Sequence, residues 1–373
     1  MNRKWFITIG VCVLAFVLCA CAAADETIEA NPLNDSELAA EMEVNTKDTR
    51  IIKDLAGNDV VLPPADEIEK VVIIAPPLLA TYVNVVGDTN KLVGLHPRCL
   101  HEANPELLNL VVPNWADINT GFIKGFTSNT EELLKMNPDV ILVYGDFQKE
   151  GLENIDVPIV DFFIQDTQNE VWSVAIDGLM REIFEIEGVT SLQDEWNEAN
   201  KIVAEALSEL ADEDKKIGLM IRSIDQNNVL VRGANYYGDD WMKKTGLINA
   251  ASDCQGDSAQ VSMEQIYGWN PAVIYDFVGM DADRYLANEI EGQDWTFVEA
   301  YSNHQIYDMP RGMFNWGSPN VESPLALIWM TMKNYPDKID QDFFNDYMKA
   351  FYDRQYGVEL TDQMMAAILD PQK

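Results

Sequence analysis

The chain has 373 residues, 62 of them Asp or Glu against 26 Lys or Arg, for a formal net charge of −36. A surface this acidic repels nucleic acid and anionic lipid head groups, which excludes nucleic-acid binding as a function class. Three of the five cysteines precede residue 22, so the body keeps only Cys99 and Cys254, too few for the disulfide framework of a small exported domain.

In chain order, Arg3 and Lys4 form a short basic region, and Trp5 to Ala20 is almost wholly apolar. That stretch of roughly sixteen residues is short for a bilayer span and suits a signal-peptide core. It ends in Leu18, Cys19, Ala20, Cys21, which resembles a bacterial lipobox: cleavage before Cys21 leaves that residue to carry lipid. Residues 1–20 are therefore expected to be a lipoprotein signal peptide. Residues 21–49, acidic and poor in aromatics, are expected to be a flexible tether.

Beyond the tether, strand-like runs alternate with helical ones. "KVVIIA" (70–75) reads as a buried strand, "PLLATYVNVVG" as the helix after it, and "KLVGL" (91–95) as a strand followed by a long loop through Trp115. "NTEELLKMNP" is a helix capped near Asn129 or Thr130 that feeds the strand "DVILVY", and "PIVDFF" follows. From Asn169 to Glu187, apolar residues at three- and four-residue steps predict one long amphipathic helix on Val171, Val174, Ala175, Leu179, Ile183 and Ile186. A second helix is expected over about 191–211. Alternation resumes at "KIGLMIRS", "NVLVRG", a helix from Asp240, "SMEQIYGW", "AVIYDFV" and "QIYDM", before a helical end. The expected fold is α/β: an N-terminal Rossmann-like lobe (50–167), a connecting helix (168–188) and a C-terminal lobe (189–373), with a ligand cleft between the lobes.

An internal echo supports two matching halves. "EELLKMNPDVIL" begins at Glu131 and "EQIYGWNPAVIY" at Glu264; in both, Glu lies six residues before Asn-Pro and a Val-Ile strand follows at once. The residue before proline avoids the right-handed helical region, so the helix must end there.

With these blocks, "IIKDLAGNDVVLPPADEIEKVVII" and "RGMFNWGSPNVESPLALIWMTMKNYPDKI" in order from about residue 50 to the end, the chain resembles a substrate-binding lipoprotein of an ABC importer. The group it resembles serves iron-siderophores, haem and cobalamin, and joins its lobes by a single long helix. The loop "RGANYYGDD" departs from that group, which more often has small residues and serines there. The resemblance implies membrane permease subunits as partners, docked through Glu131 and Glu264, and no catalysis by the chain itself.

Ligands of open α/β sheets bind beyond the carboxyl ends of the strands. The corresponding loops gather Arg98, Arg222, Arg232 and Arg311, four of the nine arginines, with Trp115, Phe147, Tyr236, Tyr237 and Trp316. Guanidinium forks and aromatic faces suit an anionic ferric chelate with flat apolar parts. His96 and His101 share one loop and, with Tyr236 or Tyr237, offer ligands to haem iron. A haem, cobalamin or molybdate-like oxyanion receptor and a carboxylate-based hydrolase are the competing readings. No nucleophile elbow, metal-hydrolase helix or phosphate loop is present in the sequence.

Overall fold

The computed structural model describes residues 49–371 except 165, 167, 188–190, 225–227 and 280–281. Cys21 and the expected leader lie outside these residues, as does the expected tether up to residue 48. Lys47–Lys373 forms one compact unit.

The first sheet grows from short runs of Val, Ile and Leu. An antiparallel hairpin of β1 (Arg50–Lys53) and β2 (Asp59–Leu62) precedes it. Then come β3 (Val71–Ile73), α1 (Leu78–Val85), β4 (Leu92–Leu95), α2 (Pro97–His101), α3 (Pro105–Val111), a small hairpin of β5 (Ile123–Lys124) and β6 (Thr127–Ser128), α4 (Thr130–Lys135), β7 (Val140–Val143) and β8 (Ile159–Asp161). The sheet order is β4-β3-β7-β8, all parallel. Each residue of β7 is buried, as expected for a parallel strand covered on both faces. The stretch expected to be a long loop before Trp115 is instead two short helices. Pro97 and Pro105 open them, and the His96 and Asn104 side chains accept backbone N–H groups at their starts.

The chain then crosses through α5 (Asn169–Phe184) and α6 (Leu192–Ala206) into β9 (Ile217–Ile224), β10 (Val229–Val231), α7 (Tyr237–Lys244), β11 (Ile248–Asn249), β12 (Ala259–Val261), α8 (Met263–Trp269), β13 (Val273–Asp276), α9 (Ala282–Leu286), α10 (Glu299–Ser302), β14 (Ile306–Asp308), α11 (Ser323–Asn334), α12 (Gln341–Tyr356) and α13 (Asp362–Leu369). The second sheet runs β12-β10-β9-β13-β14, with β11 beside the start of β9. Its β9-β13-β14 part is parallel, and β10 and β12 add antiparallel strands.

α5 ends earlier than its periodicity suggested. Glu185 adopts the left-handed conformation (φ 51°), and Arg50 caps the last turn by donating to the Glu182 and Ile183 carbonyls. Its buried stripe is also rotated: Trp172, Ile176, Met180 and Ile183 are buried, whereas Val171 is exposed. The helix is not a lone rod. One apolar cluster runs from Val71 and Ile73 through Ile176 and Met180 to Trp196, Trp316 and Trp329. The Trp196 indole donates to Ser173 Oγ at 2.8 Å, fastening α6 to α5. The last helices return to the first lobe: Asn84 of α1 donates to Gln355 of α12, whose neighbour Arg354 forks onto the buried Glu195 of α6 at 2.9 and 2.8 Å.

A buried carboxylate shapes the loop before α11. Glu322 accepts the Met313 and Phe314 amides at 2.9 and 3.1 Å and the Tyr352 hydroxyl at 2.8 Å. Burial outweighs these donors and raises its pKa to about 7. A carboxyl raised on folding contributes stability that is present below its unfolded pKa, about 4.3, and lost as pH rises through 7. Urea unfolding at pH 5 and pH 8 should therefore show a steeper loss of stability in the native protein than in Glu322→Gln. Equal slopes would place the protonation elsewhere.

Candidate functional site

Three strands end in a buried aspartate that folds the following loop. Asp161 ends β8 and accepts the Gly145 and Phe163 amides at 2.7 and 2.9 Å. Asp276 ends β13 and accepts Gly279 N–H at 2.9 Å; Asp308 ends β14 and accepts Ala282 N–H at 3.1 Å. A charge placed there is satisfied by loop amides, so the loops at the strand ends take defined shapes.

Those loops enclose a cavity of about 290 Å³ with walls from both lobes. In the first sheet, β3 has β4 on one side and β7 on the other, and the segments after β3 and β7 bring Pro76, Pro77, Tyr144 and Phe147 to it. Phe126, from the turn between β5 and β6, and Phe163, after β8, complete that side. The start of α5 supplies Trp172, whose ring stacks on Tyr144 at 5.2 Å and meets Phe163 edge-on at 5.5 Å. The second lobe contributes Tyr236 and Tyr237, which lead into α7, together with Phe277 and Phe314. The Tyr144 hydroxyl is buried and has no hydrogen-bond partner among the described residues.

The cations lie on this aromatic ground. Arg232 follows β10 and is 3% exposed, its guanidinium carbon 4.5 Å from the Tyr237 ring centroid and 4.1 Å from that of Phe277. Burial lowers its pKa and raises that of Tyr237 to about 12. Asp257 pairs with it and with Arg222, whose Nε lies 3.4 Å from the carboxylate. Gly238 makes the approach possible, since a Cβ there would fall 2.5 Å from the Arg232 Cβ. Across the cavity, Arg98 lines the wall and donates to Glu102 Oε1 at 2.7 Å. Glu102 Oε2 accepts from Arg311 at 3.2 Å, and Arg311 also donates to Val278 O at 2.8 Å, which ties the lobes together.

Of the residues expected to contact ligand, Arg98, Phe147, Arg222, Arg232, Tyr236 and Tyr237 line this cavity. Four others are engaged elsewhere. Arg311 is spent on Glu102 and Val278, which turns it into an inter-lobe tie. Trp316 is fully buried and donates to the Tyr352 hydroxyl at 3.3 Å, so it is a core residue. Trp115 hydrogen-bonds Asn109 and packs on the main core. His96 uses both ring nitrogens, one 2.8 Å from Gly125 O and one accepting Arg98 N–H at 3.1 Å; burial lowers its pKa, and its ring backs Phe126 at 4.6 Å. His96 is therefore not free to ligate haem iron. Phe126, Phe163, Trp172 and Asp257 were missed by sequence reasoning. Their one sequence signal is position within a few residues of a strand end or helix start.

Among the described residues, no group of three or more His, Cys, Asp or Glu is placed to hold a metal ion, and Cys99 and Cys254 are both free thiols.

The two echo junctions match in detail. Asn137 and Asn270 are both left-handed, at φ 49° and 46°, and each precedes proline. The residues after the prolines then bond back to the sheet in the same way, Asp139 N–H to Lys70 O before β3 and Ala272 N–H to Ile217 O at β9. Glu131 and Glu264 are both exposed in the first turns of α4 and α8. Glu131 pairs with Lys135 at 3.0 Å, and Glu264 is held below the usual carboxylate range by its own amide and the Ser262 hydroxyl.

Gly238→Ala should overpack Arg232 and destabilise the protein by about 1–3 kcal/mol without loss of secondary structure, read by urea unfolding with circular dichroism. An unchanged midpoint would show that Arg232 is loosely held.

Residues 81–312 match the family described as periplasmic binding protein. The molybdate-binding protein MolA of Haemophilus influenzae is 26% identical over 343 residues, covering 82% of this chain and 92% of its own. A periplasmic solute binding protein from Veillonella parvula superposes with a TM-score of 0.70 at 27% identity, over 87% of this chain and 98% of its own. The Helicobacter pylori protein CeuE, solved as a nickel-histidine complex, shares the fold at a TM-score of 0.66 and 17% identity, over 86% and 99% of the two chains. With more than half its length matched and two α/β lobes facing one cavity, this chain belongs to the periplasmic binding protein family, the extracytoplasmic solute-binding components of ABC transporters.

Proposed function

We propose that this protein, lipid-anchored through Cys21, captures a compact ferric chelate with flat anionic rings, of the catecholate-siderophore kind, and passes it unchanged to its permease. The observation that carries this reading is the wall of the cavity, where Arg98, Arg222 and Arg232 converge from both lobes on a surface made mainly of aromatic rings. Guanidinium groups bond chelate oxygens, and the rings cover the flat parts. At about 290 Å³ the cavity lies just below the roughly 300–1,000 Å³ range of ligand sites, which favours a small chelate over a porphyrin or corrinoid. A tetrahedral oxyanion is the second reading, because the Haemophilus relative binds molybdate; the apolar majority of the wall weighs against so strongly hydrated an ion.

Trp172 makes tryptophan fluorescence a direct reporter. Titration with the ferric complex of 2,3-dihydroxybenzoate should give saturable quenching at roughly micromolar affinity or tighter. Response to molybdate alone would replace the chelate with the oxyanion.

Glu131 and Glu264 are the proposed contacts to the permease. Two exposed carboxylates at a fixed separation act as a geometric key and add steering, although each ion pair alone is worth only about 1 kcal/mol or less. Glu131→Lys combined with Glu264→Lys should abolish uptake by cells while leaving ligand affinity within about twofold, because neither residue lines the cavity. Normal uptake by the double variant would remove these residues from the interface.

A further inference from the structure

We propose that Asp257 is a built-in competitor for the ligand. Its carboxylate holds the guanidinium groups that the incoming anion takes, so binding is an exchange of one anion for another. This inference rests on the reading of the cavity as an anion site and names the residue that sets its selectivity.

Two carboxylates are each shared by two arginines, and of these six groups Arg98, Arg222, Arg232 and Asp257 line the cavity. Glu102 lies between Arg98 and Arg311, and Asp257 between Arg222 and Arg232. The two carboxylates are held differently. The Glu102 side chain is 12% exposed and its pairing with Arg311 crosses from one lobe to the other, so moving it would open the seam between the lobes. The Asp257 side chain is 30% exposed and faces the cavity. Among the described residues, its carboxylate pairs with those two guanidinium groups alone. Its backbone is anchored just upstream, where Ala234 N–H meets Cys254 O at 2.7 Å and Gly233 N–H meets Gly256 O at 2.9 Å, with Gly256 left-handed at φ 83°. A single Asp rotamer change therefore frees both arginines without shifting the sheet.

Arg232 is ready for a replacement. Its Nε and Nη1 are buried and make no hydrogen bond among the described residues, so Asp257 meets it as an ion pair only, although the guanidinium is fixed on Tyr237 and Phe277. A buried donor left unbonded carries a desolvation cost that a ligand oxygen removes. A tethered carboxylate competes at high effective concentration, so a ligand with one anionic oxygen displaces it poorly. A chelate presenting several oxygens on one face engages both arginines together. Asp257 thus selects for polydentate anions.

The test titrates the native protein, Asp257→Asn and Asp257→Ala with the ferric complex of 2,3-dihydroxybenzoate, free 2,3-dihydroxybenzoate and molybdate, with urea unfolding to confirm that each variant folds. Removing the competitor should tighten binding of whichever anion the native protein takes by about five- to tenfold, with the larger gain for the free monoanion. If the ferric complex binds the native protein but both folded variants bind it equally or more weakly, the exchange is overturned and the chelate reading stands. If only molybdate binds, and binds the variants more tightly, the exchange stands and the chelate reading falls. Absence of binding by any anion to all three proteins overturns both.

Discussion

A guanidinium buried among aromatic rings is the constraint on which the cleft depends. Arg232 cannot leave its site without stripping cover from Tyr237 and Phe277, and its buried charge is costly until an anion lies beside it. Gly238 is dictated by its stem, Asp257 by its charge, and the placing of Tyr236 and Tyr237 at the start of α7 by its face. On the proposed reading, the same cation draws negative charge into the cavity of a chain whose overall charge is −36. Local burial, not net charge, decides what such a protein binds.

The frame around this cation is joined across the lobes by helices. α5 packs against α1 and α6, and α12 returns to tie Asn84 and Glu195 together, so one apolar cluster is shared by both lobes. Between the lobes, Arg311 and Glu102 pair, and Asn104 N–H meets Gly312 O at 2.7 Å. The loop that carries Arg311 and Gly312 is itself seated on Glu322. We expect a receptor so connected to move by small adjustments of its loops and of single side chains, since packed elements resist continuous deformation.

Much of this architecture was legible in the residues. Parallel strands covered on both faces must be unbroken aliphatic runs, which is why "VVII" and "VILV" stand out, and Asn-Pro forces a helix to stop in either lobe. The segments after strands bring Arg98, Arg232 and Tyr237 to the cavity, as sheet topology alone would send them, whereas Arg222 reaches it from within β9. Sequence could not show which side chains were already taken. His96, Trp115, Arg311 and Trp316 have the right chemistry but are held by Gly125, Asn109, Glu102 and Tyr352. Trp172 was hidden for the opposite reason: on a helix its neighbours mark it as core, and only the entry of α5 beneath the cleft turns its face to the cavity. The short helices before Trp115 also escaped, since each is little more than one turn held by a proline and a cap.

The central claim is that an anionic iron chelate sits among Arg98, Arg222 and Arg232. It is tested most directly by iron anomalous diffraction from crystals grown with the ferric complex of 2,3-dihydroxybenzoate. The account predicts one iron peak inside the cavity, with chelate oxygens on Arg222 and Arg232 and the rings against Tyr237 and Trp172. Iron bound only outside that wall, with Asp257 still on both arginines, would contradict it.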